Sequence, residues 1–302
     1  MFDSHGIAYQ QVWKPARGER RLELVDLGPR IVVPEEGDWR RWRRLAKRAD
    51  VDAIVGSETL RCMGMFAAHP SGFAPEAVGN QRLAYLLTTA ILKLNPAATY
   101  ITIATGVSNW ANSGTASTSL DVAQVTGSRQ PAWGAATGAT GGPGLTFTAA
   151  SLQWLRSGAY TWNQPSAYVV RFKRVSHASV NMNVIDAAAS FNTRRIYCNS
   201  TIDPTTAVAY AGALTQTTAS VVSDNVWVAV GATYNGASSL IYAGGVATTG
   251  NTGTAAADGI TVGNLGVGTN SYFDGVIDWV LGWNYALTAA DHALVQSWLA
   301  LR

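Results

Sequence analysis

Asn225-Val226-Trp227-Val228-Ala229-Val230-Gly231-Ala232-Thr233-Tyr234-Asn235-Gly236 is the stretch on which the fold turns. Val226, Val228, Val230 and Ala232 alternate with Trp227, Ala229 and Thr233, a period of two that sets one group on each face of a β-strand. Asn235-Gly236 is a hairpin signal before Leu240-Ile241-Tyr242, and Gly244-Gly245 is a second turn. Outward from this hairpin, strands are predicted at 167–175, 194–198, 259–262 and 276–283, each bounded by small or turn-forming residues. That is a strand meander with no alternating helices, which predicts a mainly β chain folded as an antiparallel β-sandwich.

The charge distribution separates this region from what precedes it. Residues 1–98 hold 14 Lys/Arg and 11 Asp/Glu, whereas residues 99–302 hold 8 of each and are rich in Gly, Ser, Thr and Ala. The expected organisation is therefore a small helical and extended region at 1–98 followed by a sandwich at 99–302. A chain of 302 residues, 47% of them hydrophobic, is long enough to bury a core in such a domain. Cys62 and Cys198 are the only cysteines, too few for a disulfide framework or a structural zinc site. Met1-Phe2-Asp3-Ser4-His5 lacks a basic segment followed by an apolar run, so no secretory signal is read and a soluble product of the cytoplasm is expected. No run reaches the roughly 20 apolar residues of a membrane span.

In the first region a strand is expected around Leu22 to Val33. Asp38 can cap a helix whose apolar positions Trp39, Trp42, Leu45, Ala46 and Ala49 recur at helical spacing. Its other face carries Arg40, Arg41, Arg43 and Arg44, expected to contact acidic protein in an assembly. No aromatic residue interleaves that face for base stacking, so a nucleic-acid partner is not expected. The plainer reading is a solvated face neutralised by Glu35, Glu36, Asp50 and Asp52. A second helix is predicted at 75–94, opened by Pro75 and closed by Asn95-Pro96. A third is predicted at 289–301, with Thr288 and Asp291 as a capping box and Leu294, Trp298 and Leu301 packed inward.

With these elements in place, a family pattern is visible. Trp227-Val228-Ala229-Val230 through Tyr234-Asn235-Gly236, then Leu240-Ile241-Tyr242, Ile260-Thr261-Val262-Gly263, Phe273-Asp274-Gly275-Val276-Ile277-Asp278 and Asn284-Tyr285-Ala286-Leu287-Thr288 occur in order. The succession resembles the C-terminal half of concanavalin A-like lectin/glucanase domains of the laminin G type. Upstream, Val107-Ser108-Asn109-Trp110, Ser128-Arg129-Gln130-Pro131 and Gly142-Pro143-Gly144-Leu145 extend the resemblance to about residue 100. It implies a sandwich of jelly-roll form that binds rather than hydrolyses. Glucanases of that superfamily place glutamates in an E-x-D-x-E strand, and glycoside hydrolysis needs two carboxyls ~5–9 Å apart. Residues 99–302 contain no glutamate, and their aspartates form no i, i+2 pair. The expectation is that the chain is not an enzyme.

Relatives of this type often hold calcium in loop carboxylates and carbonyls. Asp258, Asp274 and Asn251 are ligands by type, but they lie scattered singly, so a turn role is preferred and no cofactor is expected. For carbohydrate, Trp110, Tyr234, Asn235 and Tyr272 are the candidate contacts, with aromatic residues of a sandwich more often in its core. Where relatives read I-D-E-V-R-I-Y-N, this chain reads Ile277-Asp278-Trp279-Val280-Leu281-Gly282-Trp283-Asn284. Trp279, Leu281 and Trp283 then share the side that relatives expose, and should be covered by residues 1–98, by the apolar segment 83–94 or by another subunit of a homo-oligomer. A charged attachment segment before a nearly charge-free laminin G-like domain resembles bacteriophage decoration, head-fibre or tail proteins. That resemblance implies a virion location, and as partners other virion proteins, copies of the chain itself or host-surface glycans. The competing readings are a bacterial surface or secreted lectin and a degenerate polysaccharide hydrolase.

Overall fold

The computed structural model describes residues 9–16, 19–26, 75–176, 181–188, 193–198, 204–212, 214–216, 220–265 and 271–302. Two compact units divide the chain, Met1–Tyr85 and Leu86–Arg302. In the first, β1 (Tyr9–Ala16) and β2 (Glu19–Asp26) pair antiparallel from Tyr9 opposite Asp26 to Ala16 opposite Glu19. Of the strand expected from Leu22 to Val33, Leu22–Asp26 lies in the second arm of this hairpin, and residues 27–33 lie outside the described residues. The helix expected at 38–49, with Arg40, Arg41, Arg43 and Arg44, and also Cys62, lie outside the described residues.

Helix α1 (Pro75–Thr89) stops five residues short of the predicted end. The reason lies in Leu92 and Leu94, which alternate with Lys93 and form a short strand, β3 (Leu92–Leu94). Both leucines enter the core, so the sandwich begins before residue 99. The strands that follow are β4 (Ile101–Ile103), β5 (Val107–Trp110), β6 (Val122–Ala123), β7 (Ala132–Gly134), β8 (Gly144–Phe147) and β9 (Leu155–Arg156). Next come β10 (Ser166–Arg174), β11 (Met182–Asp186), β12 (Arg195–Cys198), β13 (Val208–Tyr210) and β14 (Leu214–Gln216). The chain closes with β15 (Trp227–Tyr234), β16 (Ser239–Ala243), β17 (Val246–Gly250), β18 (Thr261–Val262), β19 (Gly275–Trp283) and helix α2 (Ala289–Leu299).

One sheet has the order β17-β16-β15-β10-β19-β8-β7, with β3 added on β19. The other has the order β14-β13-β12-β11-β18-β9-β6-β5-β4. Every pairing is antiparallel, and β10 to β11, β14 to β15 and β17 to β18 cross from one layer to the other. The core lies between the layers. Tyr168, Val170, Phe172, Val228, Val230, Ala232 and Ile241 come from the first sheet; Trp110, Val122, Leu155, Val184, Ile196, Cys198 and Val262 come from the second. The alternation therefore holds at 228–232, with Val228, Val230 and Ala232 inward, whereas Val226, read on the same face, precedes the strand and is 53% exposed. The second turn is a two-residue hairpin in which Gly244 and Gly245 both take positive φ, +58° and +81°, the backbone of a type I′ turn.

The outer face of the first sheet is roofed. Helix α2 is capped as predicted, Thr288 accepting from the Asp291 amide and Asp291 from the Thr288 amide, and it lies against β15, β10 and β16. Its buried residues are Asp291, His292, Val295 and Leu299; Leu301, expected inside, is 83% exposed because the helix ends two residues before it. Trp279, Leu281 and Trp283 are all buried on this face. Trp279 meets Trp298 of α2 edge to face at 5.1 Å, and the Trp283 indole N–H donates to the Leu86 carbonyl at the end of α1, 2.7 Å. The cover of the apolar stripe is therefore the chain's own, and these three residues are not available as the subunit interface the sequence suggested.

A β-bulge shapes the same face. Val170 pairs with Val280 and Arg171 with Trp279, but Phe172 pairs with Ile277, which leaves Asp278 as the extra residue of β19. Asp278 is thereby aimed at Arg171, whose Nη2 and Nε reach its carboxylate at 2.7 and 2.9 Å with both residues buried. Arg171 also donates to the Leu299 carbonyl and, at 3.1 Å, to that of Arg302, which ties down the last turn of α2. Burial raises the Asp278 pKa, with Arg171 and the Ala139 amide pulling it back.

Candidate functional site

The outer face of the nine-stranded sheet presents a different surface. In β12, Ile196 and Cys198 point into the core, so Arg195 and Tyr197 project outward by the period of the strand. Arg195 is paired with Tyr210 on β13, and Tyr197 with Asn183 on β11. The Arg195 guanidinium consequently lies 4.3 Å from the Tyr197 ring centre and 4.9 Å from that of Tyr210, a cation flanked by two aromatic rings. Arg195 and Tyr210 are half-buried, and Tyr197 is buried as one wall. The backbone beneath is pinned through the core by the Tyr234 hydroxyl, which donates to the Arg195 carbonyl at 2.8 Å.

The polar ledger of this cluster is incomplete. Arg195 Nη1 has one contact at 3.5 Å to Asn183 Oδ1, while its Nε is buried without a partner. Among the described residues no carboxylate pairs with Arg195. Neither the Tyr197 nor the Tyr210 hydroxyl makes a hydrogen bond there. Burial pushes the Tyr197 phenol upward, with Arg195 drawing it back and Tyr210 adding to the rise. Three other arginines of the sandwich are charge-compensated by carboxylates, and Arg194, whose Nε is also buried without a partner, is held by neutral acceptors. Arg171 is bound to Asp278 and Arg174 to Asp224, Arg194 donates to Ser166 and the Ala255 carbonyl, and Arg156, stacked 4.5 Å over Trp154, feels Asp258 and Asp186.

The residues chosen from sequence are placed elsewhere. Trp110 and Tyr234 are fully buried in the core, and Tyr272 is buried; Trp110 Nε1 donates to the Asn95 carbonyl. None of the three offers an exposed ring face: Trp110 and Tyr234 fill the space between the layers, and Tyr272 is buried. Asn235 is exposed at the β15–β16 turn, held by a bond from its amide to Ser239 Oγ. The calcium candidates do not converge. Asp258 accepts from the Ala188 amide, Asp274 from the Ala149 amide and Ser176, and Asn251 from the Gly253 amide. Each is a loop-closing acceptor, and among the described residues no group of three His, Cys, Asp or Glu side chains could hold a metal. The Arg195, Tyr197 and Tyr210 cluster was missed although its signal was present: Arg195-Ile196-Tyr197-Cys198 alternates polar and apolar in a predicted strand.

The remaining aspartates are likewise engaged. Asp121 accepts from the Asn112 amide, Asp186 from the Ala187 amide, and Asp291 caps α2; Asp203 lies outside the described residues. Cys198 is a free, buried thiol whose pKa burial pushes up to about 12, which makes it a poor nucleophile. Among the described residues no helix is long and apolar enough to cross a membrane.

No family model matches the chain, and no curated protein sequence matches it. Solved structures do match. Domain 4 of AbnA, a GH43 extracellular arabinanase from Geobacillus stearothermophilus in complex with arabinotriose, is 11% identical, with 69% of this chain and 98% of that one covered and a TM-score of 0.48. Trypanosoma rangeli sialidase in complex with sialic acid is 11% identical at a TM-score of 0.48, over 68% of this chain and 32% of the sialidase. The binding domain of Paraclostridial Mosquitocidal Protein 1 is 11% identical at 0.47, over 71% and 53%. Similarity of this degree concerns the fold alone.

Proposed function

We propose that this chain is a non-catalytic binding module, a concanavalin A-like sandwich that takes carbohydrate on the outer face of its nine-stranded sheet. The observation that carries the reading is the contrast between the faces. Helix α2 lies on the outer face of the first sheet, while the outer face of the second holds the half-buried Arg195 between Tyr197 and Tyr210, whose hydroxyls make no hydrogen bond among the described residues. Aromatic walls with a few convergent polar groups are what a sugar ring requires, since its C–H faces stack on rings and its hydroxyls pair with amides and guanidinium. The absence of glutamate from 99–302 and the structural work of the described aspartates support binding without hydrolysis.

The setting we propose for the module is a bacteriophage virion appendage, supported by the charged segment that precedes the nearly uncharged sandwich. A glycan array probed with the full-length protein tests the binding role: retention of at least one glycan class, lost in a Tyr210→Ala variant of unchanged melting temperature, is expected. No retention at all overturns it. Incubation with β-glucans, alginate and capsular polysaccharides should release no reducing ends; turnover abolished by a single Asp→Asn change would refute the non-catalytic reading. Immunogold labelling of intact particles by an antibody to this chain tests the setting, and particles that stay unlabelled would refute it.

A further inference from the structure

Resting on that reading, we propose that Arg195 selects the ligand, and that the ligand is an acidic sugar whose carboxylate binds the guanidinium between Tyr197 and Tyr210. A half-buried cation with no carboxylate partner among the described residues has lost part of its hydration and recovers only some of it from the two rings. Its Nε is buried without a partner and Nη1 reaches Asn183 at 3.5 Å, the long end of hydrogen bonding. Among the described residues nothing carries the charge that an arriving anion would supply. The two rings fix the guanidinium, so little side-chain entropy remains to be lost on binding.

A carboxylate suits this site because the planar guanidinium edge presents paired N–H donors at carboxylate spacing. The flanking Tyr197 and Tyr210 hydroxyls, which bond to no protein group among the described residues, are placed for the ring hydroxyls of the same sugar. An acidic peptide supplies the same carboxylate, and the poly-glutamate arm of the experiment tests it. The compensated arginines, Arg171, Arg174 and Arg156, lack this vacancy.

The experiment uses the full chain and a panel in which each uronate- or sialate-bearing oligosaccharide is paired with its methyl-esterified counterpart, with poly-glutamate as a further arm. Acidic members should bind at least about tenfold more tightly than their esters, with an affinity that weakens as salt rises. Arg195→Ala should abolish the difference between acid and ester, and Arg195→Lys should keep part of it, both at wild-type melting temperature. Should Arg195→Ala not fold, Tyr210→Phe serves in its place: it keeps the ring and charge, and should lower affinity for acid and ester alike while preserving their ratio. Equal binding of acid and ester overturns this inference while leaving the carbohydrate reading intact. Binding of poly-glutamate as tight as that of the acidic sugars also overturns it, and binding of no sugar at all overturns both.

Discussion

Lowering the pH from 7 to 5 is the perturbation to which His292 exposes this sandwich. The residue is fully buried on the sheet side of α2, its ring nearly parallel to that of Tyr242 with centroids 6.2 Å apart. Thr233 gives its hydroxyl hydrogen to the Leu287 carbonyl at 2.8 Å, so at its 2.9 Å contact with His292 Nε2 it accepts. Nε2 therefore carries the ring proton and Nδ1 is bare, buried and without a partner. A second proton would create both a buried charge and an unmatched N–H. Burial accordingly lowers the His292 pKa from 6.5 to about 3, with neighbouring Asp291 restoring only part of the drop.

The unfolded chain takes up that proton near pH 6.5, whereas the folded chain resists it. The depressed folded value means that stability is fully present above pH 6.5 and is lost as the pH falls toward 3. At pH 5, about 1.5 units below the free value, the loss is about 2 kcal/mol at ~1.4 kcal/mol per unit. For a domain of this size that corresponds to a fall in Tm of roughly 4–8 °C. Thermal melts followed by circular dichroism at pH 7, 6 and 5 should show this fall in the wild type. The His292→Gln variant should start lower at pH 7 and show a flatter profile. Parallel profiles for the two proteins would refute the buried-neutral assignment.

Gly231 lies directly beneath the same ring, where an added Cβ would overlap His292 Nδ1; Gly231→Ala should cost several kcal/mol in urea unfolding, and His292→Ala in the same chain should recover part of the loss. The double variant Trp279→Glu, Leu281→Arg should misfold or melt far lower, since it introduces charge into sites covered by the chain's own helices. Retained stability with altered oligomerisation on a sizing column would contradict that. Asp278→Asn leaves Arg171 buried beside a neutral group and should cost about 3–5 kcal/mol; hydrogen exchange should quicken at residues 295–302, where the arginine holds helix carbonyls.

How much of this was legible in the sequence depended on whether a signal was local. The alternation at 228–232, the double-glycine turn and the capping box at Thr288 each reside within a few residues, and each appears as expected. The end of α1 was misjudged because Leu92 and Leu94 satisfy helical and strand patterns equally, and only their pairing with β19 decides between them. Trp110, Tyr234 and Tyr272 read as ligand contacts and prove buried, because an aromatic residue looks alike in sequence whether it fills a core or lines a surface. The Arg195 cluster requires Tyr210, fifteen positions away on another strand, and no local pattern announces that pairing. Cover for Trp279, Leu281 and Trp283 was anticipated, but its source depended on where both helices pack.

The bulge at Asp278 has a bearing on how this chain is compared with others. Beyond it, every side chain of β19 changes allegiance: Ile277 and Val280 share the core, although an uninterrupted strand would send residues three apart to opposite faces. A relative lacking the extra residue would reach the same two surfaces with its sequence one position out of step. An ungapped alignment through this strand would then match core residues of one protein to roof-facing residues of the other, and would register a conserved architecture as divergence.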